Sequence, residues 1–194
     1  MTDITLRNVV KRVTLLNLGY FGIEFAVALS IGSVSLFADS VDFLEDASIN
    51  LLILMALGWS ARNRARVGMA LAVILLVPGL ATIWTAWQKF MAPVAPEPLP
   101  LSLAGLGALA INFSCAMMLV RFREHRGSLT RAAFLSARND ALANIAIIAA
   151  GLATAFLWNS AWPDLIVGIA IAAVNADAAR EVWTAARGEH SATA

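Results

Sequence analysis

Asp39, Asp42 and Asp46 stand at i, i+3 and i+7 inside an otherwise mainly apolar run, Leu36–Leu57. At ~100° per residue they share one stripe of a helix. Carboxylates at bilayer depth are costly, so they face a cavity or a partner rather than lipid. The i, i+4 pair Asp42 and Asp46 directs its oxygens the same way and can hold one divalent cation between them. Glu45 flanks the stripe and Asn50 extends it by a turn. Carboxyl groups that merely hydrogen-bond between helices are the plain alternative, and a whole set on one face weighs toward a site.

A second polar face recurs at Ser136, Asp140 and Asn144, spaced i, i+4 and i+8. Serine and asparagine alone would be ordinary glue between membrane helices. Asp140 changes that, because it lies ~12 Å into its span, close to the depth of Asp46 when the two helices run antiparallel. Three carboxylates could then meet one mid-membrane cation. Asn139 and Arg138 sit beside this face. A third stripe, Asn17, Tyr20 and Glu24, leaves three roles open for Glu24: proton acceptor, pathway residue or interhelical hydrogen-bond partner, the last favoured. Asp164, following Pro163, reads as compensation for the dipole of its own helix, and Asp177 with Arg180 reads as a local ion pair. No histidine falls within an apolar run: His125 and His190 are in hydrophilic segments. An oxygen-dominated site suits harder cations and leaves cobalt and zinc open. Cys115 has no second thiol in the chain and reads as a packing residue.

The elements that must position these residues are membrane spans. The chain has 194 residues, 60% hydrophobic and 14% charged, with a mean hydropathy of +0.75. A soluble domain carries ~25% charged residues. Runs of ~20 apolar residues cross the hydrocarbon core, and six are legible: Val13–Ile31, Leu36–Leu57, Val67–Trp87, Leu99–Val120, Ala132–Trp158 and Pro163–Trp183. Gly32-Ser33 predicts a tight turn, and the proline-rich Pro93–Pro100 cannot be helical throughout. Arg7, Lys11, Arg12, Arg62, Arg64, Arg66, Arg121, Arg123, Arg126, Arg131 and Arg187 fall on one side, with only Lys89 on the other. This bias places both termini in the cytoplasm. The tryptophans fall at span ends, as interfacial rings do. No cleavable leader precedes the first span, and the tail after Trp183 is too short for a soluble domain. The expected fold is an all-α membrane protein, a single six-helix bundle over residues 1–194. A net charge of +1 gives no support for a nucleic-acid partner.

The turn Gly32-Ser33-Val34-Ser35-Leu36, Asp42-x-x-x-Asp46, Asn139-Asp140, Asn144 and Trp162-Pro163-Asp164 together resemble the cation diffusion facilitator family. The resemblance covers nearly the whole chain, with its diagnostic residues in spans two and five. It implies a divalent metal, usually zinc, bound by two acids of span two and an i, i+4 pair of span five, and exchanged for protons by alternating access. Asp42, Asp46 and Asp140 match position by position. The fourth position, commonly histidine or aspartate, is Ser136, so the fourth donor is open among Ser136, Asn139, Asn144, Asp39 and water. Family members usually carry a cytoplasmic ferredoxin-like domain that helps them dimerise, and the chain stops before one could form. A homodimer is therefore an expectation of the resemblance alone.

The leading expectation is a proton-coupled exporter of zinc or a similar cation (cobalt, iron, manganese, cadmium) in a bacterial inner membrane. Its core ligands are Asp42, Asp46 and Asp140, with Asp39, Glu45 and Glu24 on the ion or proton path. A subunit that binds metal without moving it is the alternative. An intramembrane aspartate enzyme ranks below both, because the chain lacks a Gly-x-Gly-Asp element.

Overall fold

The first helix runs ten residues further toward the N-terminus than the apolar span alone suggests. In the computed structural model, which describes residues 3–56, 80–120 and 128–174, α1 is Asp3–Ile31. Its first turns are amphipathic. Leu6, Val10 and Val13 are buried at i, i+4 and i+7, while Arg7, Lys11 and Arg12 are exposed. The apolar stripe extends the helix past the hydrocarbon, and the cations remain in water.

The α1 helix stops at Gly32, whose φ of 61° is the left-handed conformation that favours glycine. Ser33 N–H donates to Ala28 O at 3.0 Å, the six-to-one bond of a Schellman stop. Ser33 then caps α2 (Val34–Ala56), its Oγ accepting from Leu36 N–H at 3.1 Å. One glycine thus folds α1 and α2 into a tight hairpin. The described part of α3 is 80–91. A proline-rich stretch leads into α4 (Pro98–Leu119), with proline in its first turn where no N–H is needed. Helices α5 (Ser128–Phe156) and α6 (Trp162–Val174) follow. Every described element is helical, and the bounds lie near the expected spans where both are known. Residues 67–79 of span three and 175–183 of span six lie outside the described residues, as do His125, His190, Asp177 and Arg180.

Helices α1, α2, α5 and α4 form a ring. The most extensive contacts are α4 with α5 and α1 with α2, and α1·α4 and α2·α5 close the bundle. Backbones approach closely on small residues, as in membrane helices generally. Tyr20 donates to Ala104 O at 2.6 Å across a gap that exists only because residue 107 is glycine: a Cβ there would lie within 2.2 Å of the Tyr20 hydroxyl. Helices α3 and α6 meet at the Gly32 end of the bundle through Phe90 and Trp162, ring centroids 6.1 Å apart.

The interior is layered. Leu6, Val10, Val13, Cys115, Leu119 and Ala137 form one buried apolar cluster at the end bearing the N-terminus. Leu36, Phe37, Val41, Leu101, Ala104 and Ile147 belong to a second at the opposite end. Buried polar side chains, Asn17, Glu24, Asp39, Asp46 and Asn144 among them, lie between and within these clusters. Outward-facing leucine, isoleucine and phenylalanine side chains such as Leu15, Ile23, Leu106, Phe113 and Leu142 are exposed, the surface a lipid solvent requires. Among the described residues α1, α4 and α5 are long and apolar enough to cross a membrane. The four acids Asp39, Asp42, Glu45 and Asp46 make α2 the polar exception.

Candidate metal centre

The α2–α5 contact brings acids of both helices together. Asp42, partly buried, lies within electrostatic reach of Asp140 on α5 and of Asp39, Glu45 and Asp46 on its own helix. Such a concentration of like charge inside a membrane is costly unless a cation or protons occupy it. Asp46 is buried, and Asn17 Nδ2 of α1 donates to its Oδ2 at 3.4 Å. Asn50 turns back instead and donates to Asp46 O at 2.8 Å. Cys115 Sγ is buried and donates to Asn17 Oδ1 at 3.5 Å, so the thiol supports the asparagine that touches Asp46. Among the described residues, no three histidine, cysteine, aspartate or glutamate side chains converge on a single ion position. The acids form a coupled group and not a closed cage.

The candidate fourth donors separate clearly. Asn144 of α5 is fully buried, and neither amide atom has a hydrogen-bond partner among the described residues. Asn139 is exposed and accepts from Arg138 Nη2 at 3.2 Å. Arg138 is exposed too and engages its neighbour. Ser136 is in α5, but its side chain lies outside the described residues. Glu45 is buried with Oε1 unpartnered among the described residues.

Glu24 of α1 faces Asp39 of α2. Both are fully buried and near enough for their charges to act on one another. None of their four oxygens has a well-formed hydrogen bond among the described residues. Two ionised carboxylates only accept, and a single proton between them makes the interhelical hydrogen bond expected of Glu24, with Asp39 the partner. Asn112 of α4 is a further buried side chain with an unpartnered oxygen. Its one signal in the sequence is a lone amide in span four.

Asp164 corrects the sequence reading. It lies in the first turn of α6, yet its hydrogen bonds go to another helix. Its Oδ2 accepts from Val34 N–H at 2.9 Å, and its Oδ1 accepts from Ser35 N–H at 3.1 Å. The hydroxyls of Ser33 and Ser35 both donate to Oδ1 at 2.6 Å. The dipole it compensates is that of α2. Lys89 of α3 pairs with Asp164 Oδ2 at 3.2 Å and donates to Gly32 O at 2.5 Å. Lys89 is thus buried in a clasp, beside an open cavity of about 310 Å³ that Phe37, Thr85, Gln88 and Lys89 help to line.

Residues 10–185 match the cation efflux transmembrane domain. The chain is also similar to proteins named zinc transporter ZitB. The one from Yersinia pseudotuberculosis serotype I (strain IP32953) is 27% identical over 155 residues, covering 72% of this chain and 49% of the relative. The one from Yersinia pestis gives the same figures, 27% over 155 residues. The chain spans about half the length of these curated relatives.

Proposed function

We propose that this chain, which belongs to the cation diffusion facilitator family of cation efflux proteins, moves a divalent metal cation across the membrane in exchange for protons. Asp42, Asp46 and Asp140 are the metal ligands, with Asn144 the favoured fourth donor. Asp39 and Glu24 line the path toward the Lys89 side. The observation that carries the reading is the contact of α2 with α5, which puts Asp42 within electrostatic reach of Asp140 among buried polar atoms that lack partners within the described residues. Membership of a cation efflux family sets the intramembrane aspartate enzyme aside. Zinc is the first cargo to test, since the similar Yersinia proteins are named zinc transporters. A bacterial inner membrane is the proposed location.

Exchange follows from competition. A carboxylate must be unprotonated to bind metal, so metal entry expels protons and acid expels metal. Zinc titrated into the purified protein is expected to release at least one proton per ion. Calorimetry in two buffers of different ionisation enthalpy reads this directly, and zinc affinity is expected to fall as the pH is lowered. Binding without proton release would remove the exchange mechanism. In proteoliposomes, an imposed pH gradient is expected to drive zinc uptake more strongly than cobalt, iron, manganese or cadmium. Tight binding with no flux of any of these would instead establish a binding subunit.

A further inference from the structure

We propose that Asp164 is the positioning residue of the carboxylate helix: from α6 it caps the first turn of α2 and so fixes the depth and rotation at which Asp42 and Asp46 face α5. The inference rests on the reading of α2 as the metal-binding helix.

The first N–H groups of any helix lack partners within it. In α2 they are satisfied by two devices. Ser33 Oγ takes Leu36 N–H, and the two oxygens of Asp164 divide Val34 N–H and Ser35 N–H between them. A single acceptor would let the helix swivel. A carboxylate straddling two successive N–H groups, and held as well by both serine hydroxyls, permits one rotation only.

Two neighbours make this geometry obligatory. Gly168 lies one turn beyond Asp164 on α6, where a Cβ would fall 2.8 Å from Ser35 N and 2.8 Å from the Val34 carbonyl carbon. Its absence lets α6 lie directly on the α2 backbone. Lys89 neutralises the carboxylate and ties α3 to the turn through Gly32 O. Asp42 is seven residues past Ser35, ~10 Å along the helix, so Asp164 acts on the metal site through α2 and touches no cargo. A rotation of α2 would turn Asp42 away from Asp140 and Asp46 away from Asn17.

A purely structural role, in which Asp164 only neutralises Lys89, makes a different prediction. The test uses the full chain in detergent and in proteoliposomes, with zinc affinity, zinc KM and thermal midpoint measured on each variant. Gly168→Ala alters no charge and no hydrogen-bonding group, and is expected to weaken zinc binding and raise the zinc KM about tenfold, as loss of an orienting partner does. Asp164→Asn is expected to do the same. Adding Lys89→Met to Asp164→Asn should recover the thermal midpoint and leave zinc affinity low. Wild-type affinity in Gly168→Ala, or affinity restored by Lys89→Met, would overturn the proposal. Gly168→Ala carries the test alone if Asp164→Asn does not fold. Asp42→Asn is measured alongside: zinc affinity that survives it refutes the metal-site reading itself, whereas its loss beside an unaffected Gly168→Ala refutes only the role of Asp164.

Discussion

Zinc flux into proteoliposomes is expected to drop to the level of empty vesicles when Asp42, Asp46 or Asp140 is replaced by asparagine, a loss of ~100-fold or more, beyond what outer-shell changes cost. Asparagine preserves volume and one oxygen, so folding should survive while a negative charge and a metal donor are lost. The three sites are not equivalent. Asp42 lies within electrostatic reach of Asp39, Glu45, Asp46 and Asp140. Asp46 is steadied by Asn17, so Asn17→Ala should give a weaker version of Asp46→Asn. The fourth donor can be ranked in the same assay. Asn144→Ala is expected to reduce flux more than Asn139→Ala, because Asn144 is buried with an amide unpartnered among the described residues and Asn139 is exposed and engaged by Arg138. Flux that persists in all three aspartate variants would remove the assigned site.

Asp39→Asn and Glu24→Gln are expected to stabilise the protein while slowing it. Two fully buried carboxyl groups face each other, and they can hydrogen-bond only while a proton is shared between them, because a second buried charge is costly. An amide in either place supplies the donor permanently and removes one charge. Relief of one such group contributes about 1–3 kcal/mol. For a chain of this size that is a rise in thermal midpoint of roughly 2–10 °C, read by tryptophan fluorescence in detergent. Stability given up at a working site is a familiar trade, and reduced zinc flux in the same variants would locate the trade here. A lowered midpoint would show instead that the pair is an ordinary structural contact.

Much of this was legible in the sequence because membranes impose simple rules. Apolar length marked the spans, and the i, i+3, i+7 spacing of Asp39, Asp42 and Asp46 marked a face. Depth alone paired Asp140 with that face. The misses have physical causes. The α1 helix began early because Arg7, Lys11 and Arg12 lower the local hydropathy without disturbing the buried stripe of Leu6, Val10 and Val13. The sequence offers Asp164 only the dipole of its own helix, whereas its partners Val34 and Ser35 are 130 and 129 positions away. No local pattern encodes a cap supplied from another helix. Nothing in the spacing singles out Gly168, and only the approach of α6 to the α2 backbone shows what its missing side chain permits.

The layered interior has a consequence for cells that store energy as a proton gradient. A string of acids running unbroken through a membrane would be a wire, and protons would run down it whether or not metal moved. Here the buried acids are set among apolar side chains: Leu6, Val10 and Leu119 fill the end bearing the N-terminus, and Leu36, Val41 and Leu101 pack around the level of Asp39. Apolar surroundings resist wetting and therefore charge. That packing, as much as the carboxylates themselves, is what would let such a protein use a gradient without short-circuiting it.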